Sequence, residues 1–152
     1  MARESGVCGT TKKKTMADVI ENAAIHVNGH RGSGWRETHI EAALAAELHV
    51  QGLVVVRQPT VPATFRLSNG IEIQVGSLRP DLLVRTSRDG LEIEQFYVEI
   101  KVTGQGRTAN VSRAHMDQAE GYATQTGIPC VALFFHSDMT VSTMRVDPPN
   151  GM

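Results

Sequence analysis

The sequence predicts a single α/β domain in which a mixed β-sheet is flanked by helices. Three observations predict it. Apolar residues recur at helical spacing up to about residue 50 and at alternating spacing from Leu53 onward. Asn69-Gly70 and Asp89-Gly90 interrupt the alternating part with residues that tolerate the positive φ of tight hairpins. A continuous apolar run, Pro129 to Phe135, follows a third helical stretch, as expected of a strand buried on both faces. The order helix, helix, antiparallel strands, helix, strand then calls for helices covering the faces of a mixed sheet.

The elements follow in order. Residues 1–14 (MARESGVCGTTKKK) have no apolar period and read as a flexible basic tail. Thr15 and Asp18 resemble a capping box, and Met16, Val19, Ile20, Ala23 and Val27 follow at helical spacing. The spacing predicts a helix over about 16–28, stopped by Asn28-Gly29. After a turn at 30–34, a second helix rich in Ala, Leu and Glu is expected over about 35–50, ending before Gly52. Strands are expected at LVVVRQ, TFRL, IEIQV, DLLVRT and LEIEQFYVEIKV. A glycine-bearing loop over 103–110 leads to a helix over about 111–126, and Thr140 to Val146 reads as a last edge strand. The domain spans 15–147, and 148–152 is a tail.

Composition narrows the function classes. With 41% apolar and 20% charged residues in 152, the chain has enough apolar material for one core and is neither disordered nor fibrous. No stretch approaches the ~20 apolar residues of a membrane helix, so no membrane partner is expected. The polar, basic N-terminus lacks the apolar core of a secretion signal. Cys8 and Cys130 lie far apart, which argues against a disulfide framework or a zinc site. An intracellular location, cytoplasmic or nuclear, is therefore expected. A net charge of −1 argues against a protein whose main job is to coat nucleic acid non-specifically and leaves room for a small local basic patch.

One lysine stands apart. Lys12, Lys13 and Lys14 sit in the tail, whereas Lys101 lies inside an apolar, strand-like segment of a domain that otherwise uses arginine. In Tyr97-Val98-Glu99-Ile100-Lys101-Val102, Glu99 and Lys101 share one strand face and Val98, Ile100 and Val102 the other. Read alone, this is a solvated face with an ion pair. Asp81, after Arg79-Pro80, changes the reading, because a short hairpin brings it near the level of Glu99. A two-residue Asp89-Gly90 turn would put Asp81 and Glu99 on opposite faces. A three-residue loop with Gly90 left-handed would pair Arg79 with Glu99 and put both acids on one face, and the functional reading needs that loop or a bulge. Glu37 heads the packing stripe Ile40, Leu44, Leu48 of the second helix and so points toward the sheet. Glu41 and Glu47 read as surface charges.

Three carboxylates and a lysine have a joint meaning. Hard oxygen ligands suit Mg²⁺ or Mn²⁺. Such an ion polarises a phosphoryl group and lowers the pKa of bound water. A nearby ammonium orients that water or stabilises growing charge. The chemistry indicated is phosphodiester hydrolysis.

Arg79-Pro80-Asp81 followed by Glu99-Ile100-Lys101 resembles the PD-(D/E)XK nuclease signature. Gly34-Trp35-Arg36-Glu37, EAALAAEL, RPDLLV, VEIK, and Gln118 with Tyr122 resemble the small GxxExxY group of that superfamily, over about 16–136. The resemblance implies a restriction-endonuclease-like core. It implies metal on Asp81 and Glu99 with the backbone carbonyl of Ile100. Glu37 would complete the acid cluster, Lys101 would be catalytic and Gln118 would sit beside the site. It also implies DNA as substrate, cut by a metal-dependent nuclease. Two positions depart from the group: Ile40 replaces its tyrosine, and His136 stands where asparagine is expected.

Arg79, Arg107, Arg113 and His115 are the candidate nucleic-acid contacts. The remaining histidines, His26, His30, His39, His49 and His136, show no metal-ligand spacing and read mostly as surface or boundary residues. A small nuclease that cuts both strands needs a homodimer or a larger protein partner. Two other readings stay open. Gly104-Gln105-Gly106-Arg107-Thr108-Ala109 fits the dinucleotide fingerprint, although Glu99 and Lys101 do not suit the buried parallel strand that should precede it. A catalytically silent nucleic-acid-binding or assembly protein would keep the fold without the chemistry.

Overall fold

The computed structural model describes residues 15–32, 34–86, 94–103 and 113–149, with no account of the side chains of Arg113 and His115. The tail 1–14, the Asp89-Gly90 turn, the 104–110 loop with Arg107 and the last residues lie outside the described residues.

Helix α1, Met16–His30, starts at a reciprocal cap. Asp18 N donates to Thr15 Oγ1 at 3.1 Å, and Thr15 N donates to Asp18 Oδ2 at 3.2 Å. The helix does not stop at Asn28-Gly29 but runs two residues further. Asn28 is buried, and its amide donates to the Met139 carbonyl far along the chain. That tertiary bond keeps Asn28 inside the helix, where sequence alone reads a cap. Helix α2 is Glu37–Val50, two residues shorter at its start than expected. Arg36 is its extended N-cap, with Arg36 N donating to His39 Nδ1 at 2.9 Å. Gly34, with φ of 81°, makes the turn between the helices.

Seven strands follow: β1 Val54–Arg57, β2 Val61–Arg66, β3 Glu72–Leu78, β4 Leu82–Arg85, β5 Gln95–Val102, β6 Cys130–Phe135 and β7 Val141–Val146. Helix α3, Arg113–Thr126, connects β5 to β6. Strands β1-β4-β5-β6-β7 form one five-stranded sheet in that order. Its pairs are antiparallel except β5 with β6. A parallel pair needs a long crossover, and α3 supplies it. The fully buried β6 and the edge position of β7 are as the sequence predicts. Strand β5 starts at Gln95, so Glu94 is not part of it.

Strands β2 and β3 form a separate two-stranded sheet around the predicted Asn69-Gly70 turn, where Gly70 has φ of 89°. Both strands are longer than expected, and a bulge at Ala63/Thr64 interrupts their register.

The two faces of the main sheet are packed differently. Ile20, Val27, Ile40, Leu44 and Leu48 of α1 and α2 pack on Leu82, Val84, Phe96, Val98, Ile100, Leu133 and Phe135. On the other face, Ala119 and Tyr122 of α3 pack with Tyr97, Cys130 and Val61. Glu99 and Lys101 lie on this second face by alternation from Tyr97. The expected division of β5 into a packing face and a face carrying charge is thus present.

Leu44 is fully buried between α2 and the sheet. Leu44→Ala is expected to destabilise the protein by about 2–5 kcal/mol, read as a lower urea midpoint with an unchanged slope.

Candidate active site

The acids converge where β4 begins beside β5. The ladder pairs Leu82 with Val98 through Arg85 with Gln95. One further step sets Asp81 opposite Glu99. The register is neither of the two the sequence allows for, since Arg79 is not the partner of Glu99. Both acids nevertheless share one face. Pro80 is fully buried ahead of Asp81, and Gln58 N donates to the Asp81 carbonyl at 2.8 Å. These contacts fix the backbone at Asp81.

The two carboxylates are interlocked through the backbone. Asp81 N donates to Glu99 Oε1 at 3.0 Å, and Ile100 N donates to Asp81 Oδ2 at 2.7 Å. Lys101 Nζ lies 3.7 Å from Glu99 Oε2, with 24% of its side chain exposed. Glu37 reaches the end of β5 from the head of α2, where its Oε2 accepts from Val102 N at 3.3 Å. It is exposed, and it contributes negative charge to half-buried Asp81 and buried Glu99.

Burial dominates the electrostatics. It pushes Asp81 up to about 6, helped by the charges of Glu41 and Glu37 and opposed by the Ile100 N–H and Lys101. Burial and then the Asp81 charge push Glu99 up to about 7, opposed by Lys101 and the Asp81 N–H. Burial also raises the Tyr122 phenol and the Cys130 thiol, and the charge of Glu99 adds to both. These two groups therefore lie within the field of the acids, on the α3 side.

Gln118 is exposed, and its Nε2 donates to Tyr122 Oη at 3.1 Å. It thus adjoins the site through Tyr122. Arg79 is exposed two residues before Asp81. Two residues escaped the sequence reading. Glu41 is not a surface charge: it is buried, ion-paired with Arg57 Nε at 3.0 Å and bonded by Gln58 Nε2 at 2.8 Å. Gln58, a non-glycine residue with φ of 52°, links Glu41 to the Asp81 backbone. Helical spacing was the available signal, because Glu41 follows Glu37 by one turn. His136 is also buried, contrary to the surface reading. Its ring contacts Thr103 Oγ1 at 3.0 Å and Ser142 Oγ at 2.8 Å.

Among the described residues, no three His, Cys, Asp or Glu side chains converge tightly enough to enclose a metal ion. The structure brings Asp81 and Glu99 together and leaves Glu37 at the rim. An open pair of carboxylates fits an ion such as Mg²⁺, which takes one or two carboxylates and completes its shell with water and phosphate oxygens. The pair fits on electrostatic grounds too. Burial and the neighbouring acids disfavour the charged form of both carboxylates, and a bound cation would favour it. No helix among the described residues is long and apolar enough to cross a membrane.

A mixed α/β sheet flanked by helices, with a paired Asp and Glu and an adjoining Lys, is the restriction-endonuclease-like architecture. The chain belongs to the PD-(D/E)XK nuclease superfamily, whose sequence profile matches residues 14–146. No curated protein matches it. Among solved structures, the protein SSO0001 is similar with a TM-score of 0.52 and 12% identity, over 74% of this chain and 48% of its own. The chain thus spans about half the length of that structure. The Archaeoglobus fulgidus Hjc, a Holliday junction resolvase from an archaeal hyperthermophile, aligns with a TM-score of 0.44 and 15% identity, over 72% of this chain and 85% of its own.

The raised acids set a sign for pH dependence. Between the ordinary values of 3.8 and 4.5 and the folded values of about 6 and about 7, the native state holds protons that the unfolded chain has released. Their contribution to stability is complete below about pH 4 and is lost as pH rises through 6 to 7. Metal-free protein is expected to lose more Tm between pH 4.5 and 7.5 than Glu99→Gln does, measured by calorimetry at fixed ionic strength.

Proposed function

We propose that the protein is a divalent-metal-dependent nuclease that hydrolyses DNA phosphodiester bonds. The observation that carries this reading is the interlocked Asp81–Glu99 pair with Lys101 on the same strand face. Asp81 and Glu99, with the Ile100 carbonyl, are the residues that would hold Mg²⁺ or Mn²⁺, and Glu37 adds negative charge at the rim. When bound, the ion polarises the phosphoryl group and lowers the pKa of a coordinated water.

The chain's own residues do the rest. Lys101 places an ammonium beside Glu99, where it helps hold the acid in its charged form and can stabilise charge growing on the phosphoryl oxygens as water attacks in line. The Ile100 and Asp81 N–H groups fix the carboxylates in place, so little rearrangement accompanies reaction. Gln118 and Tyr122 border the acids from the α3 side, and Arg79 is the exposed cation beside Asp81. Arg107, Arg113 and His115 belong to the nucleic-acid contacts in this reading. A homodimer or a larger partner would supply a second centre where both strands are cut. An intracellular setting suits a DNA substrate. A catalytically silent DNA-binding or assembly protein on the same fold is the second reading.

Cleavage of single-stranded, duplex and branched DNA with Mg²⁺ or Mn²⁺ separates the two. Glu99→Ala should abolish cleavage, and Lys101→Ala should lower kcat by about a hundredfold or more. Activity that persists in EDTA, or survives in both variants, would refute the nuclease reading. DNA binding without turnover would favour the silent one.

Metal also links to stability. Mn²⁺ at about a hundred times its Kd should stabilise the wild-type protein by about 2.7 kcal/mol. The same addition should leave the Tm of Asp81→Asn nearly unchanged.

A further inference from the structure

We propose that a cavity next to Glu37, at the C-terminal end of β5, is a phosphate subsite for a nucleic-acid strand, with Arg31 as its cation. The strand as ligand rests on the nuclease reading; the anion site itself does not. The cavity measures about 360 Å³ and is lined in part by Arg31, Gly32, Gly34, Val102, Thr103 and Met139. That volume lies in the range of small-ligand pockets. Arg31 is the one ionisable side chain among the described residues that line it.

The guanidinium is held but not neutralised. Arg31 Nη2 donates to the His136 carbonyl at 3.0 Å, and the group lies 6.0 Å from the centre of the Phe135 ring. Its Nε is buried with no hydrogen-bond partner among the described residues. No carboxylate among the described residues pairs with it. An arginine set in one geometry by a neutral carbonyl, and lining an open cavity, is suited to take an anion on the N–H groups that face that cavity. Phosphate matches its planar fork better than a point charge would.

The walls leave room for a backbone. Gly32 and Gly34 present no side chains, and Gly32 admits none, because a Cβ there would meet Trp35 Nε1 at 2.8 Å. Thr103 is fixed to His136 Nδ1 at 3.0 Å, and the other ring nitrogen of His136 contacts Ser142 Oγ at 2.8 Å. His136 therefore steadies both Arg31 and Thr103. Val102 joins the cavity to the acids, because its N–H is bonded by Glu37. A strand that passes Glu37 at the end of β5 would thus meet Arg31 with one of its phosphates.

The test uses metal-free protein, so that binding is read apart from cleavage. A fluorescein-labelled single-stranded oligonucleotide is titrated by anisotropy over a range of NaCl concentrations. Arg31→Gln should weaken binding about tenfold to a hundredfold. It should also flatten the slope of log K against log salt by about 0.7. Arg31→Lys should restore the slope while recovering only part of the affinity. In the wild-type protein, the Arg31 Nε–H resonance should shift with both inorganic phosphate and the oligonucleotide, a readout that does not depend on the variants folding. Unchanged affinity and slope in Arg31→Gln would overturn the proposal. So would a resonance that shifts with phosphate but not with the oligonucleotide, which marks a free-anion pocket. A protein that shows the Arg31 effects but never cleaves DNA would sink the nuclease reading and leave the subsite standing.

Discussion

The site depends on a reciprocal contact between two strands. Asp81 and Glu99 carry like charge and, left to themselves, would turn apart. Each is held by a backbone N–H that belongs to the other's strand. Those donors cannot move without breaking the β4–β5 ladder. The positions of the side chains are thereby tied to strand register. A slip of one residue would carry Glu99 to the face where Val98 and Ile100 pack, and would bury those two among polar groups instead. The packing of α1 and α2 on that apolar face therefore enforces the position of the acids on the opposite one.

The same construction explains why the acids hold protons so firmly. The α3 face brings Tyr97, Tyr122 and Cys130 over this part of the sheet, all buried. Burial disfavours the charged form of every acid near it, and the shifts of Asp81, Glu99, Tyr122 and Cys130 all run upward. Lys101 offsets this only in part, from 3.7 Å and with some of its charge in water. Buried Glu41 is matched by Arg57 and Gln58 and so stays apart from the pair it acts upon. The result is a pocket that disfavours the charged form of both acids, which a bound cation would favour. This is a property of the fold, present before any ligand arrives.

Much of this was legible in the sequence because it follows from local period. The alternation in VEIK assigns Glu99 and Lys101 to one face whatever the sheet order. The stripe Ile40, Leu44, Leu48 aims Glu37 at the end of the sheet, and Val102 is where it arrives. What was not legible depends on long-range contacts. The β4–β5 register turns on residues between the strands, and turn chemistry alone left two answers, neither of them the one adopted. The run of α1 past Asn28 depends on a bond to Met139. The burial of Glu41 depends on Arg57 and Gln58 at the end of a strand whose neighbour is β4, and no periodicity encodes that adjacency. His136 belongs to the same class, since its partners lie on β7 and just beyond β5.

The position of Arg31 shows why long-range contacts matter to the chemistry as well as to the fold. An arginine within ion-pair distance of Asp81 or Glu99 would neutralise the pair and lower its demand for a cation. Here the guanidinium is instead bound to the carbonyl of His136, a neutral acceptor. Among the described residues, Lys101 is the cation beside the acids, and no carboxylate pairs with Arg31. A phosphodiester strand with a bound cation carries both in alternation, so it can satisfy the two halves together where neither a free cation nor a free anion can. In the nuclease reading, keeping these opposite charges apart inside the protein is what leaves each of them for a substrate strand.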